Sequence, residues 1–179
     1  MNFTQNNQVK IVLVGYMGSG KSTLGRLLAK LLKIKFLDLD DCIENSEEKT
    51  IATIFKDKGE IYFRKKENEY LKKILNTESS FILSTGGGTP CYGSNMQDIL
   101  KATENTFYMK VSIPELVRRL SSEKALRPLI KNFSEEELPE FIGKHLFERS
   151  FFYNMSKNKI AAEGKPLEVI VQEMKELLV

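Results

Sequence analysis

A glycine-rich segment that ends in a lysine and a serine lies close to the N-terminus. Residues 15–22 read GYMGSGKS and satisfy the pattern G-x-x-x-x-G-K-[ST] in full. Glycines let the backbone curl so that successive N–H groups point at phosphate oxygens. Lys21 can then reach the β- and γ-phosphates of a nucleotide, and the Ser22 hydroxyl can bind Mg²⁺. The predicted contacts with a nucleoside triphosphate are Gly18, Ser19, Gly20, Lys21, Ser22 and Thr23.

The same loop occurs in GTP-dependent switch proteins, which carry further motifs. Recognition of guanine usually requires Asn-Lys-x-Asp late in the chain, and residues 158–161 read NKIA, without the aspartate. The sequence also has no Asp-x-x-Gly after a predicted strand, where it would sense a γ-phosphate. The sequence therefore argues against a GTP switch.

Two aspartates stand at the end of a short apolar segment, residues 36–40 (FLDLD). Ligands of open parallel sheets bind beyond the carboxyl ends of the strands, and residues two apart on a strand point the same way. Of these two residues, Asp38 and Asp40, one could turn its carboxylate toward a nucleotide-bound magnesium ion. The carboxylate of the other could then orient and deprotonate an acceptor hydroxyl. The structural alternative is helix capping by Asp40 or Asp41.

Three arginines lie in contexts that suit anion binding. Arg64 and Arg149 have aromatic neighbours, and a guanidinium at the edge of an apolar pocket can bind a small carboxylate through two hydrogen bonds. Taken singly, each is better explained by a surface ion pair, such as Arg64 with Glu67. Arg127 lies in a polar segment from which it could swing onto a transferring phosphate, or remain a solvated charge.

Three consecutive glycines, Gly86, Gly87 and Gly88, follow the apolar residues 81–84 (FILS). Such a run weakens any helix or strand. It is useful where the backbone must approach a ligand closely, and its position after a strand favours that interpretation over a loose connection.

The elements that would position these residues alternate between strands and helices, which indicates a parallel sheet. The predicted strands are residues 9–14, 35–38, 81–84, 106–111 and 159–161. The predicted helices are residues 22–32, 94–102, 114–120, 135–156 and 166–178, with a mostly helical stretch at 40–76 broken near Gly59. In the first helix, an apolar stripe comprises Leu24, Leu27, Leu28, Leu31 and Leu32. We predict an α/β fold with helices on both faces of a five-stranded parallel sheet.

The composition is that of an ordinary globular domain. The chain has 179 residues, of which 41% are apolar and 28% are charged. We expect one domain over residues 1–179, with an insert at about 40–76 and a mobile segment at about 121–134. The net charge of +3 is too small to indicate nucleic acid as a partner.

The rare residue types exclude several classes of site. Two cysteines, Cys42 and Cys91, make no disulfide framework, and a single histidine, His145, makes a His/Cys zinc site untenable. We interpret His145 as structural. The sequence has neither a signal pattern in residues 1–8 nor an apolar run long enough to cross a bilayer. We therefore expect a cytoplasmic monomer that binds no membrane.

Seven of these segments, taken in order, resemble the shikimate kinases, a family of P-loop proteins related to nucleoside monophosphate kinases. The matching segments are residues 15–23 (GYMGSGKST), 36–44 (FLDLDDCIE), 51–55 (IATIF), 59–67 (GEIYFRKKE), 84–88 (STGGG), 127–130 (RPLI) and 149–153 (RSFFY). The resemblance implies a P-loop kinase fold, with ATP and Mg²⁺ as cofactors and shikimate as acceptor. The implied reaction moves the γ-phosphate of ATP to the 3-hydroxyl of shikimate, giving shikimate 3-phosphate and ADP on the route to chorismate and the aromatic amino acids.

The resemblance also implies how the acceptor is held. Asp40 would bind the ring hydroxyls and act as the base, while Arg64 and Arg149 clamp the carboxylate. Phe55 and Phe63 would form an apolar floor. The full implied acceptor set is Asp40, Phe55, Phe63, Arg64, Gly86, Gly87, Gly88 and Arg149, with residues 40–76 as a substrate-binding insert.

On the nucleotide side, the resemblance implies that Lys21 and Arg127 contact the phosphates, Arg127 from a lid at about 121–134. Asp38 would reach Mg²⁺ through water, beside Ser22. Arg119 would lie against the adenine, with Pro166 on its other side.

The sequence departs from the family in three places. Leu39 separates the two aspartates where a small hydroxylic residue is common, and Ser156 stands where alanine is usual. Residues 161–163 (AAE) replace a strand end that contains an aspartate.

Two other functions share the loop and the general size. A gluconate kinase would use the same phosphate chemistry, but the three glycines and the two arginines favour shikimate. A catalytically silent nucleotide-binding regulator would be expected to lack Asp40 or Arg149, and both are present.

Overall fold

The computed structural model describes residues 8–124 and 129–179. Within these ranges the strands are β1 (Lys10–Val14), β2 (Lys35–Asp38), β3 (Phe81–Ser84), β4 (Thr106–Lys110) and β5 (Asn158–Ala161). The helices are α1 (Lys21–Leu32), α2 (Leu39–Glu47), α3 (Ile51–Leu75), α4 (Asn95–Ala102), α5 (Ile113–Glu123), α6 (Glu137–Asn154) and α7 (Leu167–Glu176). A short 3₁₀ turn, Thr89–Cys91, follows β3.

The strands form one parallel sheet in the order β2-β3-β1-β4-β5. Ile11, Val12, Leu13 and Val14 of the central strand are all fully buried. Because successive side chains of a strand point to opposite faces, the sheet must be covered on both sides. The predicted three-layer α/β arrangement is confirmed.

Strands β1, β2 and β3 end level with one another. Ser84 is in register with Leu13 on one side and with Asp38 on the other. The chain segments that leave these strands therefore start from one edge of the sheet, where open α/β proteins bind ligands.

Helix α1 contacts β1, β2, β3 and α7. Leu24 and Leu28 are buried in that contact, as the apolar stripe predicted. The prediction is wrong for Leu31, which is 47% exposed. Leu31 lies on the open side of the contact between α1 and α7, where it lines a shallow groove with Leu27 and Val171.

The predicted helical stretch at 40–76 consists of α2 and α3, and α3 is kinked at Gly59, with φ at 78°. Asp38 caps α2, because its Oδ1 accepts a hydrogen bond from the backbone N–H of Asp40 at 3.1 Å. The structural alternative, in which Asp40 or Asp41 caps the helix, is therefore wrong. The helix begins one residue earlier than expected, at Leu39, and Asp40 and Asp41 therefore lie in its first turn.

Helix α5 continues to Glu123, three residues beyond its predicted end. The first part of the predicted mobile segment is therefore helical. Residues 121–123 are polar, and polar composition alone does not separate an exposed helical turn from a loop. Arg127, in the same segment, lies outside the described residues.

Cys42 and Cys91 are free thiols, both half-buried. In residues 8–124 and 129–179, no helix combines the length and the apolar character that crossing a bilayer demands.

Candidate active site

An open cavity of about 890 Å³ lies at the carboxyl edge of the sheet. Its walls include residues 17–24 after β1, Asp38 and Asp40 around the end of β2, residues 84–87 around the end of β3, Glu115, Arg118 and Arg119 of α5, and residues 162–167 before α7. The glycine-rich loop and Asp40, the residue predicted to bind the acceptor hydroxyl, thus line one cleft.

The glycine-rich loop leads directly into α1. Gly20 precedes the helix with φ at 87°, a conformation that glycine adopts without strain, and no side chain caps the helix. The Lys21 ammonium is largely buried and donates to the carbonyls of Gly15 and Tyr16 at 2.8 and 2.9 Å. These bonds hold a positive charge beside the N-terminal end of α1, an arrangement that suits a polyphosphate.

Ser22 lies opposite Asp38. The Ser22 hydroxyl donates to Asp38 Oδ2 at 2.7 Å and lies 3.2 Å from the Ser84 hydroxyl. Asp38 thus combines two contacts, one to Ser22 and one to the first turn of α2. The aspartate is held rigidly at the edge of the nucleotide loop.

The donor set of Ser22 and Asp38 fits magnesium. A serine hydroxyl and a carboxylate are hard oxygen ligands, which Mg²⁺ prefers. The described part of the chain holds no group of three or more metal-ligating side chains. Ser22 and Asp38 alone would leave most coordination positions of the ion to phosphate oxygens and water, as is usual for Mg²⁺ bound with a nucleotide.

Asp40 occupies the first turn of α2 and faces the cavity. Burial raises the pKa of Asp40 to about 6, and the charges of Asp38 and Glu67 act in the same direction, while Lys21 opposes them. A carboxyl with a pKa near neutrality is well suited to accept a proton during catalysis.

The three glycines after β3 are needed for space. A Cβ on Gly86 would lie 2.9 Å from Thr89 Oγ1 and 3.1 Å from Asp40 Oδ1. A Cβ on Gly88 would lie 3.0 Å from Arg64 Nη2. The glycines therefore let the side chains of Asp40 and Arg64 pack directly against the backbone.

Gly87 makes two further close approaches. A Cβ on this residue would lie 3.3 Å from the backbone nitrogen of Met17 in the nucleotide loop. On its other side, the hydroxyl of Tyr153 donates a hydrogen bond to the Gly87 carbonyl. Gly87 thus joins the loop after β3 to the loop after β1 and to α6.

Arg64 is fixed from several directions. Its Nη1 donates to Glu67 Oε2 at 2.9 Å, and Glu67 is only 1% exposed and also accepts from Thr89 at 2.6 Å. The guanidinium carbon lies 3.9 Å from the centre of the Tyr92 ring. The predicted alternative, an ion pair with Glu67, is present, but this pair is buried and holds the guanidinium against Gly88.

Arg149 extends from α6 toward the same region. Its guanidinium carbon lies 5.6 Å from the centre of the Tyr16 ring. Burial raises the pKa of Tyr153, and the charge of Arg149 opposes that rise. The Tyr16 hydroxyl is 3.1 Å from Nδ1 of His145. His145 thus has the structural role that the sequence predicted, connecting α6 to the nucleotide loop.

The charges of Arg64 and Arg149 act on the same two side chains. A hydrogen bond from Tyr92 lowers the pKa of Glu60, and the charges of both Arg64 and Arg149 lower it further. Burial raises the pKa of the Cys91 thiol to about 11, although the same two arginines oppose the rise. Two residues so far apart in sequence therefore act on the same small region of the molecule.

Phe55 and Phe63 form a pair whose ring centres are 4.6 Å apart. Phe63 is buried, and Phe55 is partly exposed. The Arg64 guanidinium carbon lies 5.1 Å from the centre of the Phe63 ring. The pair thus adjoins the arginine cluster, which comprises Arg64, Arg149 and the residues that contact them. Five of the predicted acceptor residues do not line the 890 Å³ cavity itself: Phe55, Phe63, Arg64, Gly88 and Arg149.

Arg119 connects three parts of the nucleotide side. It donates to the carbonyls of Gly18 and Ala162 at 3.2 and 2.8 Å, and to Glu115 at 2.7 Å. Arg118 instead forms an exposed pair with Glu115. Pro166 lines the cavity with Arg119, so the predicted adenine-side residues face the same cleft.

The sequence did not single out Glu67, Thr89 or Tyr92 as parts of the site. In the sequence, Glu67 is predicted only to form a surface ion pair with Arg64. The spacing of three residues on a helix shows that Glu67 can reach Arg64, but it does not show that Glu67 is buried. Thr89 and Tyr92 belong to no recognisable pattern, so no signal in the sequence points to them.

The chain is similar to known proteins along most of its length. The family model for shikimate kinase matches residues 17–179. A shikimate kinase of Flavobacterium psychrophilum is 48% identical over 169 residues, which cover 94% of this chain and 98% of the relative. The crystal structure of shikimate kinase from Bacteroides thetaiotaomicron is similar with a TM-score of 0.89 and 36% identity, covering 94% of this chain and 97% of that chain. Shikimate kinase from Acinetobacter baumannii in complex with shikimate gives a TM-score of 0.85 at 29% identity, covering 96% and 93%.

The gluconate kinase alternative is supported at the level of the fold alone. A gluconokinase from Sinorhizobium meliloti 1021 has a TM-score of 0.53 and 16% identity, covering 95% of this chain and 91% of that chain. The family model and the full-length relative are far more specific, and they show that this chain belongs to the shikimate kinase family.

Proposed function

We propose that the protein transfers the γ-phosphate of ATP to the 3-hydroxyl of shikimate, producing shikimate 3-phosphate and ADP. The observation that carries this proposal is the turn after β3, where Gly88 lies against Arg64 and Gly86 lies against Asp40. Arg64, with Arg149 of α6 as a second guanidinium, suits a carboxylate, and Asp40 suits a hydroxyl. Shikimate has both groups on one ring.

The nucleotide occupies the cleft at the N-terminal end of α1. Backbone N–H groups of residues 18–23 and the Lys21 ammonium bind the phosphates. Because negative charge shifts onto the bridging oxygen as the bond to ADP breaks, Lys21 stabilises the transition state more than the ground state. Arg119 and Pro166 lie on either side of the adenine.

Asp40 binds the acceptor hydroxyl and takes its proton. The hydroxyl oxygen forms a bond to the γ-phosphorus, the bond from the γ-phosphorus to the bridging oxygen breaks, and that oxygen leaves on ADP. The raised pKa of Asp40 fits this role, because the proton must be accepted near neutral pH. Gly86 and Gly87 bring the backbone close enough to line the acceptor.

We propose Mg²⁺ as the metal, held by Ser22 directly and by Asp38 through water. The ion, when bound, neutralises charge on the phosphates. The hydrogen bond between Ser22 and Asp38 keeps both oxygens together at the entrance to the phosphate loop.

The acceptor ring lies over Phe55 and Phe63, with its carboxylate on Arg64 and Arg149. Residues 40–76 thus act as a substrate-binding insert within one domain. Residues 121–134 are proposed as a lid that carries Arg127 onto the phosphates. That assignment rests on the family resemblance, since Arg127 lies outside the described residues.

We further propose that the protein works as a monomer in the cytoplasm. All of the groups that the transfer needs come from one chain in this account. A second subunit is therefore not required to complete the site.

A coupled assay of ADP release tests the proposal. Purified protein is given MgATP with shikimate, with gluconate, or with nucleoside monophosphates in parallel. We expect turnover with shikimate that exceeds turnover with the other acceptors by several orders of magnitude. Comparable rates with gluconate would contradict the assignment of the acceptor.

A further inference from the structure

We propose that Glu60 is an internal competitor of the acceptor, because its carboxylate pairs with Arg64 in the free protein and must be displaced by the carboxylate of the acceptor. This inference rests on the proposed function, because it concerns the same pair of arginines. Glu60 is not among the residues assigned above to the acceptor.

Glu60 lies immediately after the kink of α3, and its carboxylate reaches into the arginine cluster. Its Oε1 accepts from Arg64 Nε at 3.3 Å and from the Tyr92 hydroxyl at 2.7 Å. Its pKa is lowered first by Tyr92 and then by the charges of Arg64 and Arg149. A carboxylate of this chain therefore already pairs with a guanidinium that would receive one from a substrate.

Glu60 is not needed to hold Arg64 in place. The buried Glu67 binds Nη1 at 2.9 Å, and the Tyr92 ring stacks on the guanidinium at 3.9 Å. The Glu60 side chain is 53% exposed, whereas that of Arg64 is 18% exposed. Loss of Glu60 would thus leave the guanidinium positioned and free one of its edges.

Displacing Glu60 costs the same free energy for every ligand whose carboxylate takes its place on Arg64. An exposed ion pair is weak, so this cost is small, and shikimate, which also binds Asp40 through its hydroxyls, overcomes it readily. A simple carboxylate binds through the arginines alone and bears the same cost. Glu60 thereby weakens the binding of both ligands by a similar factor.

The test compares Glu60→Gln with Glu69→Gln in the full chain. Glu69 is on the same helix and pairs with Lys66 at 3.0 Å, so its substitution makes the same change of charge outside the arginine cluster. Two ligands are measured by calorimetry. One is shikimate, and the other is cyclohex-1-ene-1-carboxylate, which has the ring and carboxylate of shikimate but none of its hydroxyls.

We expect Glu60→Gln to lower the Kd of shikimate by about two- to fivefold, the factor that an exposed ion pair contributes. The Kd of the hydroxyl-free analogue should fall by a similar factor, because the same ion pair is broken. The KM for ATP should remain unchanged, and Glu69→Gln should behave like the wild type. Urea unfolding of both variants shows whether the fold is intact.

An unchanged or raised Kd for either ligand in folded Glu60→Gln would overturn the inference, since Glu60 would then be neutral or would support the clamp. An equal fall in Glu69→Gln would also overturn it, because the effect would be one of overall charge. Binding of the hydroxyl-free analogue involves no phosphate transfer. A wild type that binds it but does not phosphorylate shikimate would refute the proposed function and leave the Glu60 test intact.

Discussion

Asp40 is a residue whose surroundings oppose its own charge. It is partly buried, and Asp38, Glu67 and Glu44 all raise its pKa, which reaches about 6. Because this value exceeds the usual 3.8, the folded protein holds more protons than the unfolded chain between about pH 4 and pH 6. Ionisation of Asp40 therefore destabilises the fold as the pH rises through that window.

We expect Asp40→Asn to lower kcat by a factor of about 10² to 10⁴, the usual contribution of a general base. The same substitution should raise the free energy of unfolding at pH 8 by about 1–3 kcal/mol, because it removes an unfavourable charge. Kinetic assays and urea unfolding measure the two effects, and the gain in stability should shrink as the pH falls below about 6. A variant that is both less stable and only a few times slower would show that Asp40 is structural.

The sequence identified single residues where local chemistry is strong and missed those that act through burial. Lys21 and Ser22 follow from a pattern of eight residues, and they lie at the start of α1 as expected. Glu67 and Glu60 look alike in the sequence, as acidic residues near Arg64. Only the fold distinguishes them, because Glu67 is enclosed beside Thr89 while Glu60 remains half in solvent.

At the scale of elements, the turn after β3 is as important as the loop after β1. Gly86 has Thr89 Oγ1 and Asp40 Oδ1 where a Cβ would lie, at 2.9 and 3.1 Å. Neither neighbour is free to move, because Thr89 binds the buried Glu67 and Asp40 is held in the first turn of α2.

We therefore expect Gly86→Ala to reduce kcat/KM for shikimate by about tenfold or more, since a shift of Asp40 by a few tenths of an ångström disturbs the alignment of the acceptor. The control is Gly143→Ala on α6, where the nearest atom to a Cβ is Ile113 Cδ1 at 3.6 Å. Full activity in both variants would show that the space at Gly86 is not needed for catalysis.

The connection from α6 to β5 contains an unfavourable group. The hydroxyl of Ser156 is buried and has no hydrogen-bond partner in the described part of the chain. The resemblance to the shikimate kinases implies an alanine at this position. A buried hydroxyl without a partner costs free energy that alanine would not.

Ser156→Ala should raise the free energy of unfolding by about 1 kcal/mol, with unchanged kcat and KM. Urea unfolding measures the difference. Ser79→Ala is a matched control, since Ser79 is an exposed serine in another connection from a helix to a strand, and should change stability by less than about 0.5 kcal/mol. A loss of stability in Ser156→Ala would mean that the hydroxyl has a stabilising contact.

The limits of helices were harder to predict than their existence. Strands β2 and β3 have the bounds that the sequence predicted. Helix α2 starts before Asp40 because Asp38 can cap it from the end of β2, a choice that several neighbouring aspartates leave open. Helix α5 continues into a polar segment because an exposed turn needs no apolar residue.

At the scale of the whole molecule, the active site is assembled from distant segments. The nucleotide loop follows β1, Asp40 follows β2, the glycines follow β3, and Arg149 comes from α6. The parallel sheet aligns the first three, because β1, β2 and β3 end level. Helix α6 reaches this edge through Arg149, which lies over Tyr16 of the loop after β1, and through Tyr153, which binds the Gly87 carbonyl after β3. No local pattern indicates either contact.

The central claim is that this assembly recognises a carboxylate through two arginines and a hydroxyl through Asp40. The most direct measurement compares kcat/KM of the wild-type protein for shikimate and for its amide, in which a neutral carboxamide replaces the carboxylate. A neutral carboxamide loses the charge attraction to both arginines and turns N–H donors toward guanidinium donors, so we expect the amide to be poorer by a factor of about 10² or more. Arg64→Ala and Arg149→Ala should raise the KM for shikimate while leaving the KM for ATP nearly unchanged. Similar kcat/KM values for shikimate and its amide would contradict the account, because neither arginine would then bind the carboxylate.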